Sequence, residues 1–171
     1  VLALANGTQN NQTLTQEHPQ WTKFLQGFHY VCKTLAKSIA RDGEGATKLI
    51  EVEVVGATTI EAARAVAKTV ISSNLVKTAM YGSDANWGRI ISAIGYSKQK
   101  IEPERIKVAF GHIPVVENGM GVPFDEEAVM LILVKDELKL TIDLQQGDCS
   151  ATAWGCDLTY DYIRINSSYR T

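Results

Sequence analysis

Three stretches of the chain gather residue types able to handle a small polar molecule. The first is Arg41-Asp42-Gly43-Glu44-Gly45-Ala46-Thr47-Lys48. A carboxylate between two glycines sits where the backbone can turn sharply and a ligand can come close. Held there, Glu44 can receive the ammonium of an amino acid. The same residues also fit a glycine helix cap followed by a solvated glutamate. The second is Tyr81-Gly82-Ser83-Asp84-Ala85-Asn86-Trp87-Gly88-Arg89. Its helix start can bind an anion through free N–H groups, or Asp84 can cap the helix with Trp87 in the core. The third is the ending Asn166-Ser167-Ser168-Tyr169-Arg170-Thr171. A carboxylate with Asn and Thr side chains can line a pocket, or the tail can fray.

Other chemistries find no support. His18, His29 and His112 are scattered, with no Ser-His-Asp spacing and no HExxH motif. Asn118-Gly119-Met120-Gly121 lacks the glycine spacing and the Lys-Ser/Thr of a phosphate loop. Cys32, Cys149 and Cys156 are an odd count without CxxC, which argues against a disulfide framework or a zinc site and favours a reducing, cytoplasmic setting. No nucleophile with a visible base can be identified.

Periodicity supplies the elements that must position these loops. Apolar residues from Phe24 to Ile39 recur at three- and four-residue steps, predicting a helix over Gln20 to Ala40 that ends at Asp42-Gly43. Lys48 to Val55 alternates as a strand with one wet and one buried face. Thr58 and Glu61 read as a capping box opening a helix to Ser72, with Asn74 as its stop. Leu75 to Met80 reads as a short strand, and Asp84 as the cap of a third helix ending at Gly95. Strands follow over Lys107 to Phe110 and Ile113 to Glu117, a loop over Asn118 to Gly121, and a helix from Asp125 to about Val134. Leu138 to Leu144 and Ala151 to Cys156 read as strands, and Thr159 as the cap of a last short helix. Val1 to Ala5 reads as the end of a buried element closed by Asn6-Gly7. This order predicts an α/β (α+β layered) fold, a sheet covered by helices. A division into two lobes, if present, falls near Lys98 to Glu104.

Composition bounds the function. The chain has 171 residues, 45% of them hydrophobic, with 17 Lys and Arg against 19 Asp and Glu. A chain with no basic excess is a poor binder of nucleic acid, and no apolar run has the length of a membrane span. Opening on Val1 inside an apolar run fits a chain cut from a longer one.

Several blocks, taken together, resemble one family. They are Val-Leu-Ala-Leu-Ala-Asn-Gly at 1–7, Ala-Arg-Asp-Gly-Glu-Gly-Ala-Thr-Lys at 40–48, Ser-Asp-Ala-Asn-Trp-Gly-Arg-Ile at 83–90, Phe-Asp-Glu-Glu at 124–127, Ala-Thr-Ala-Trp-Gly-Cys-Asp-Leu-Thr at 151–159 and the ending at 162–171. The sequence is similar, over essentially its whole length, to ornithine acetyltransferase, the bifunctional glutamate N-acetyltransferase of arginine biosynthesis. The resemblance implies an N-terminal-nucleophile-like acyltransferase fold and a precursor that cuts itself at an Ala-Thr bond. The new N-terminal Thr takes the acetyl group from N2-acetylornithine and passes it to glutamate. The 171 residues look like the β chain without its N-terminal segment, so the nucleophilic Thr is absent from this sequence. The Thr-Gly oxyanion hole belongs to the α chain.

By the same resemblance, Glu44, Asn166 and Thr171 are substrate-binding, while Asp84 to Arg89 stay structural. No cofactor or metal is implied, although acetyl-CoA serves some members as a second acetyl donor. The partners implied are the α chain of the same precursor, in an assembly of two α and two β chains, and the substrates N2-acetylornithine, ornithine and glutamate. An N-terminal Thr can use its own α-amine as base, which suits a sequence with no placed histidine. A related N-terminal-nucleophile aminopeptidase and a non-catalytic fragment are the alternatives.

Overall fold

The computed structural model describes residues 2–168 and divides into two compact units, 1–39 and 40–171. In the first unit, the described residues before the first helix form no ladder and only isolated turns, such as Asn10 N donating to Gly7 O. Leu2 and Leu4 are 81% and 85% exposed, so the expected buried element at Val1 to Ala5 is absent from the described part, residues 2–5. Helix α1 (Trp21–Arg41) follows the predicted apolar stripe, and Trp21, Phe24 and Phe28 stack in sequence along it at 5.8 and 6.0 Å between ring centroids.

The second unit is built on a six-stranded sheet. Its strands are β1 (Leu49–Ala57), β2 (Lys107–Phe110), β3 (Ile113–Glu117), β4 (Met120–Gly121), β5 (Glu137–Asp143) and β6 (Cys149–Cys156), in the order β4-β3-β2-β5-β1-β6. Only β1 and β5 run parallel; the other neighbours are antiparallel, so the sheet is mixed. The two faces differ because side chains alternate along each strand. Ile50, Val52 and Val54 of β1 lie beside Leu138, Leu140 and Ile142 of β5, and all six are buried. Helix α2 (Ile60–Ser72) covers this face with Ala63, Val66, Ala67 and Val70, each fully buried. Gly155 of β6 is where the helix comes closest: a Cβ there would lie 2.5 Å from Ile71. The opposite face is polar and half-buried. On it the Trp154 indole N–H donates to Glu51 at 2.7 Å, and Lys139 pairs with Glu53 at 2.8 Å.

Four more α-helices follow α2 among the described residues, and here the structure corrects the sequence reading. Leu75 to Met80 is not a strand but part of helix α3 (Asn74–Tyr81). Ser73 is the reason: it closes α2 and its hydroxyl accepts from Val76 N, starting the next helix at once. Asn74 therefore opens a helix instead of stopping one. The cap of α2 is Thr59, which accepts from Ala62 N, and not Thr58. Helix α4 (Trp87–Gly95) is capped by Asn86, with Asp84 one step back, accepting from the Asn86 amide at 3.1 Å. Met120 and Gly121, expected in a loop, pair with β3. Helix α5 (Glu126–Leu133) lies where a helix was expected, with Asp125 as its cap and not in its first turn, and α6 (Tyr160–Ser168) closes the described chain. The segment 98–104 lies within the second unit.

Candidate functional site

The Gly-Glu-Gly loop connects the end of α1 to the start of β1, and α6 leaves the end of β6 beside it. β1 and β6 are antiparallel neighbours, with Leu49 opposite Cys156, so the loop and the helix start from adjacent points on the sheet. Gly43 to Ala46 close a tight turn, Ala46 N donating to Gly43 O at 2.9 Å. Gly45 takes the third position with φ +67°, a conformation that disfavours any side chain. Glu44 is thereby held at the exposed tip. Of the two glycines, Gly45 supplies the left-handed residue, while Gly43 is needed for contact: a Cβ there would meet Cys156 Sγ at 2.5 Å.

Three layers of hydrogen bonds fix this loop. At the tip, Asn166 Nδ2 donates to Glu44 Oε2 at 2.8 Å and to Tyr162 O at 2.9 Å. Thus two of the residues singled out by resemblance, 122 positions apart, are in direct contact. Thr171, the third, lies outside the described residues. Behind the tip, Thr159 Oγ1 donates to Gly45 O at 2.7 Å and accepts from Tyr162 N at 3.1 Å, capping α6 as expected. At the root, Asp157 is 3% exposed, and its Oδ1 accepts from Thr47 N at 2.9 Å and Lys48 N at 3.0 Å. Its Oδ2 accepts from the Thr47 hydroxyl. Sequence reasoning missed Asp157, because nothing local marks an aspartate that satisfies two amides on the far side of the chain.

Lys48 was legible only as the first residue of a strand. Its ammonium is turned inward, donating to Met80 O at 2.7 Å and Ser83 Oγ at 2.8 Å. Burial pushes its pKa below the ordinary lysine value, opposed by the charge of Asp157. Below the folded-state pKa the buried charge therefore costs stability. The cost is relieved as pH climbs through that value toward the ordinary one, because the unfolded chain then binds more protons. Comparing thermal midpoints of the wild type and Lys48→Met as the pH is raised from neutral toward the ordinary lysine value should show the difference moving in favour of the wild type. A difference that is flat with pH would contradict this.

Gly45 offers a direct test of the packing between loop and helix. An added Cβ would lie 2.8 Å from Tyr162 N and 3.1 Å from Asp161. Gly45→Ala should cost about 2–3 kcal/mol, from left-handed strain plus displacement of the first turn of α6. Thermal unfolding reads the loss; a midpoint within a degree of the wild type would show that the loop yields freely.

Arg89 Nη1 donates to Leu75 O at 3.0 Å and to Thr78 Oγ1 at 3.2 Å, tying α4 to α3. Among the described residues no group of His, Cys, Asp and Glu could hold a metal ion, and no helix is long and apolar enough to cross a membrane.

A mixed sheet covered by helices, with a carboxylate and an amide joined where β1 begins and the edge strand β6 ends, defines a layered α/β protein. The chain belongs to the ArgJ family, whose model matches residues 1–171. It is 58% identical over all 171 residues to the arginine biosynthesis bifunctional protein ArgJ of Oceanobacillus iheyensis, covering 42% of that protein. It is 54% identical to the protein of the same name from Staphylococcus aureus (strain Mu50), covering 41% of it. The chain thus spans about two fifths of the length of these curated relatives. The crystal structure of the arginine biosynthesis bifunctional protein argJ from Bacillus halodurans matches with a TM-score of 0.93 at 51% identity, over 96% of this chain and 78% of that one. The family resemblance and the layered fold expected from the sequence both hold.

Proposed function

We propose that this chain is the β-chain portion of an acetyltransferase of arginine biosynthesis that moves an acetyl group from N2-acetylornithine to glutamate. The observation that carries the reading is the 2.8 Å bond between Asn166 Nδ2 and Glu44 Oε2, an amide and a carboxylate 122 positions apart brought together at an exposed tip. An ionised carboxylate suits the cationic end of ornithine, and a neighbouring amide suits the polar groups that ornithine and glutamate share. Thr171 joins them in this reading.

The attacking hydroxyl is that of an N-terminal Thr outside this sequence. It adds to the acetyl carbonyl of N2-acetylornithine, the C–N bond breaks, and ornithine leaves with the proton on its amine. The amine of glutamate then attacks the acetyl ester, forms N-acetylglutamate and returns the proton to the threonine hydroxyl. The Thr α-amine serves as base, and backbone donors of the α chain hold the oxyanion. The assembly is two α and two β chains in the cytoplasm, acetyl-CoA being at most a second donor.

The test is to express the complete polypeptide and measure its subunit masses and its reactions. Two chains, the second beginning at Thr, with acetyl transfer from N2-acetylornithine to glutamate, are expected. Peptide hydrolysis without acetyl transfer would replace this reading with that of an aminopeptidase.

A further inference from the structure

We infer that Thr159 is a positioning residue for the Glu44–Asn166 pair, its single hydroxyl fixing both the loop that carries the carboxylate and the helix that carries the amide. The inference rests on the reading of that pair as part of the amino-acid site. A hydroxyl has one proton and two lone pairs, so it can donate and accept at the same time. Thr159 does both: it donates to Gly45 O at 2.7 Å and accepts from Tyr162 N at 3.1 Å. One oxygen atom therefore sets the spacing between the turn and the first turn of α6.

Each of its two partners lies one bond from the functional pair. Gly45 follows Glu44 directly in the turn. Tyr162, whose N–H is held by Thr159, uses its carbonyl to accept from Asn166 Nδ2 at 2.9 Å. The Asn166 amide has two protons; one is committed to Tyr162 O and the other to Glu44 Oε2. Where that amide points is thus decided by the turn of helix that Thr159 caps. Thr159 is only 4% exposed, so water cannot readily replace the hydroxyl if it is removed. The left-handed Gly45 leaves no room for a side chain between the loop and this turn of helix: a Cβ there would lie 2.8 Å from Tyr162 N.

Asp157 acts differently. It binds the amides of Thr47 and Lys48 at the root of the loop and governs whether the loop is anchored at all. Thr159 governs the alignment of the tip.

The test uses the complete enzyme carrying Thr159→Val, Thr159→Ser or Glu44→Gln, with initial rates over a range of N2-acetylornithine and thermal midpoints measured beside them. Thr159→Val should raise KM about five- to tenfold, the worth of one to two hydrogen bonds, with kcat changed less than about twofold. Thr159→Ser, which restores the hydroxyl, should bring KM back to within about twofold of the wild type. A purely structural role would lower the midpoint and the yield of active enzyme while leaving KM in place. If Thr159→Val does not fold, Thr159→Cys against Thr159→Ser decides the same question, because a thiol of similar size is a weak donor; KM should be higher for cysteine. An unmoved KM in the valine or cysteine variant while Glu44→Gln raises it overturns the positioning role alone. An unmoved KM in Glu44→Gln overturns the reading of the site and the inference with it.

Discussion

Glu44→Gln should raise KM for N2-acetylornithine, and for ornithine in the reverse direction, by roughly 10- to 100-fold. A hydrogen bond to a charged partner is worth about 1.5–3 kcal/mol, which converts to about that range. The substitution is close to isosteric, and the glutamine carbonyl can still accept from Asn166 Nδ2, so the turn and the 2.8 Å contact should survive. Charge is what is lost. Glutamate has no cationic side chain, so its KM should move far less, and the ratio of the two KM values becomes the internal control. Steady-state rates with each amino acid varied in turn measure it. A ratio equal to that of the wild type would show that Glu44 does not read the ornithine cation.

What was legible in the sequence divides along a physical line. Local signals were readable: the 3.6-residue stripe of α1, the alternation of β1, a helix beginning near Asp125, Thr159 as a cap, and glycines flanking Glu44. Each depends on residues within one or two turns of each other. The segment Leu75 to Met80 failed because a six-residue stretch carries too little periodicity to separate strand from helix, and Ser73, ending one helix and starting the next, looks like an ordinary breaker. Asp84 was read as a cap because aspartate suits that role. It serves the cap at one remove, through the side chain of Asn86. Asn166 was legible as a polar residue of the ending that can line a pocket, but its contact with Glu44 was not, since no local pattern announces a partner 122 residues away. The same holds for Asp157, whose acceptors are filled from across the sheet.

Asp157→Ala should be among the most damaging single changes in the second unit, costing about 3–5 kcal/mol. The carboxylate is 3% exposed and takes two backbone amides and a hydroxyl. Removing it leaves the Thr47 and Lys48 N–H groups without their acceptor. It also deprives the inward-turned Lys48 ammonium of the one nearby charge that opposes its desolvation. Each buried N–H left without an acceptor costs about 1–3 kcal/mol, which supplies most of the loss. Asp157→Asn separates the two effects. Its carbonyl can still accept from both amides while the charge is gone, so it should lose only about 1–2 kcal/mol. For a unit of this size the alanine variant should melt on the order of 10 °C lower, and the asparagine variant a few degrees lower. The loop that Asp157 anchors carries Glu44 three residues upstream of Thr47, so catalytic efficiency should fall with the midpoint in the alanine variant. Equal midpoints for alanine and wild type would mean that the turn is held by Thr159 and Asn166 alone. Equal losses for alanine and asparagine would mean that the charge facing Lys48, and not the satisfied backbone, anchors the site to the sheet.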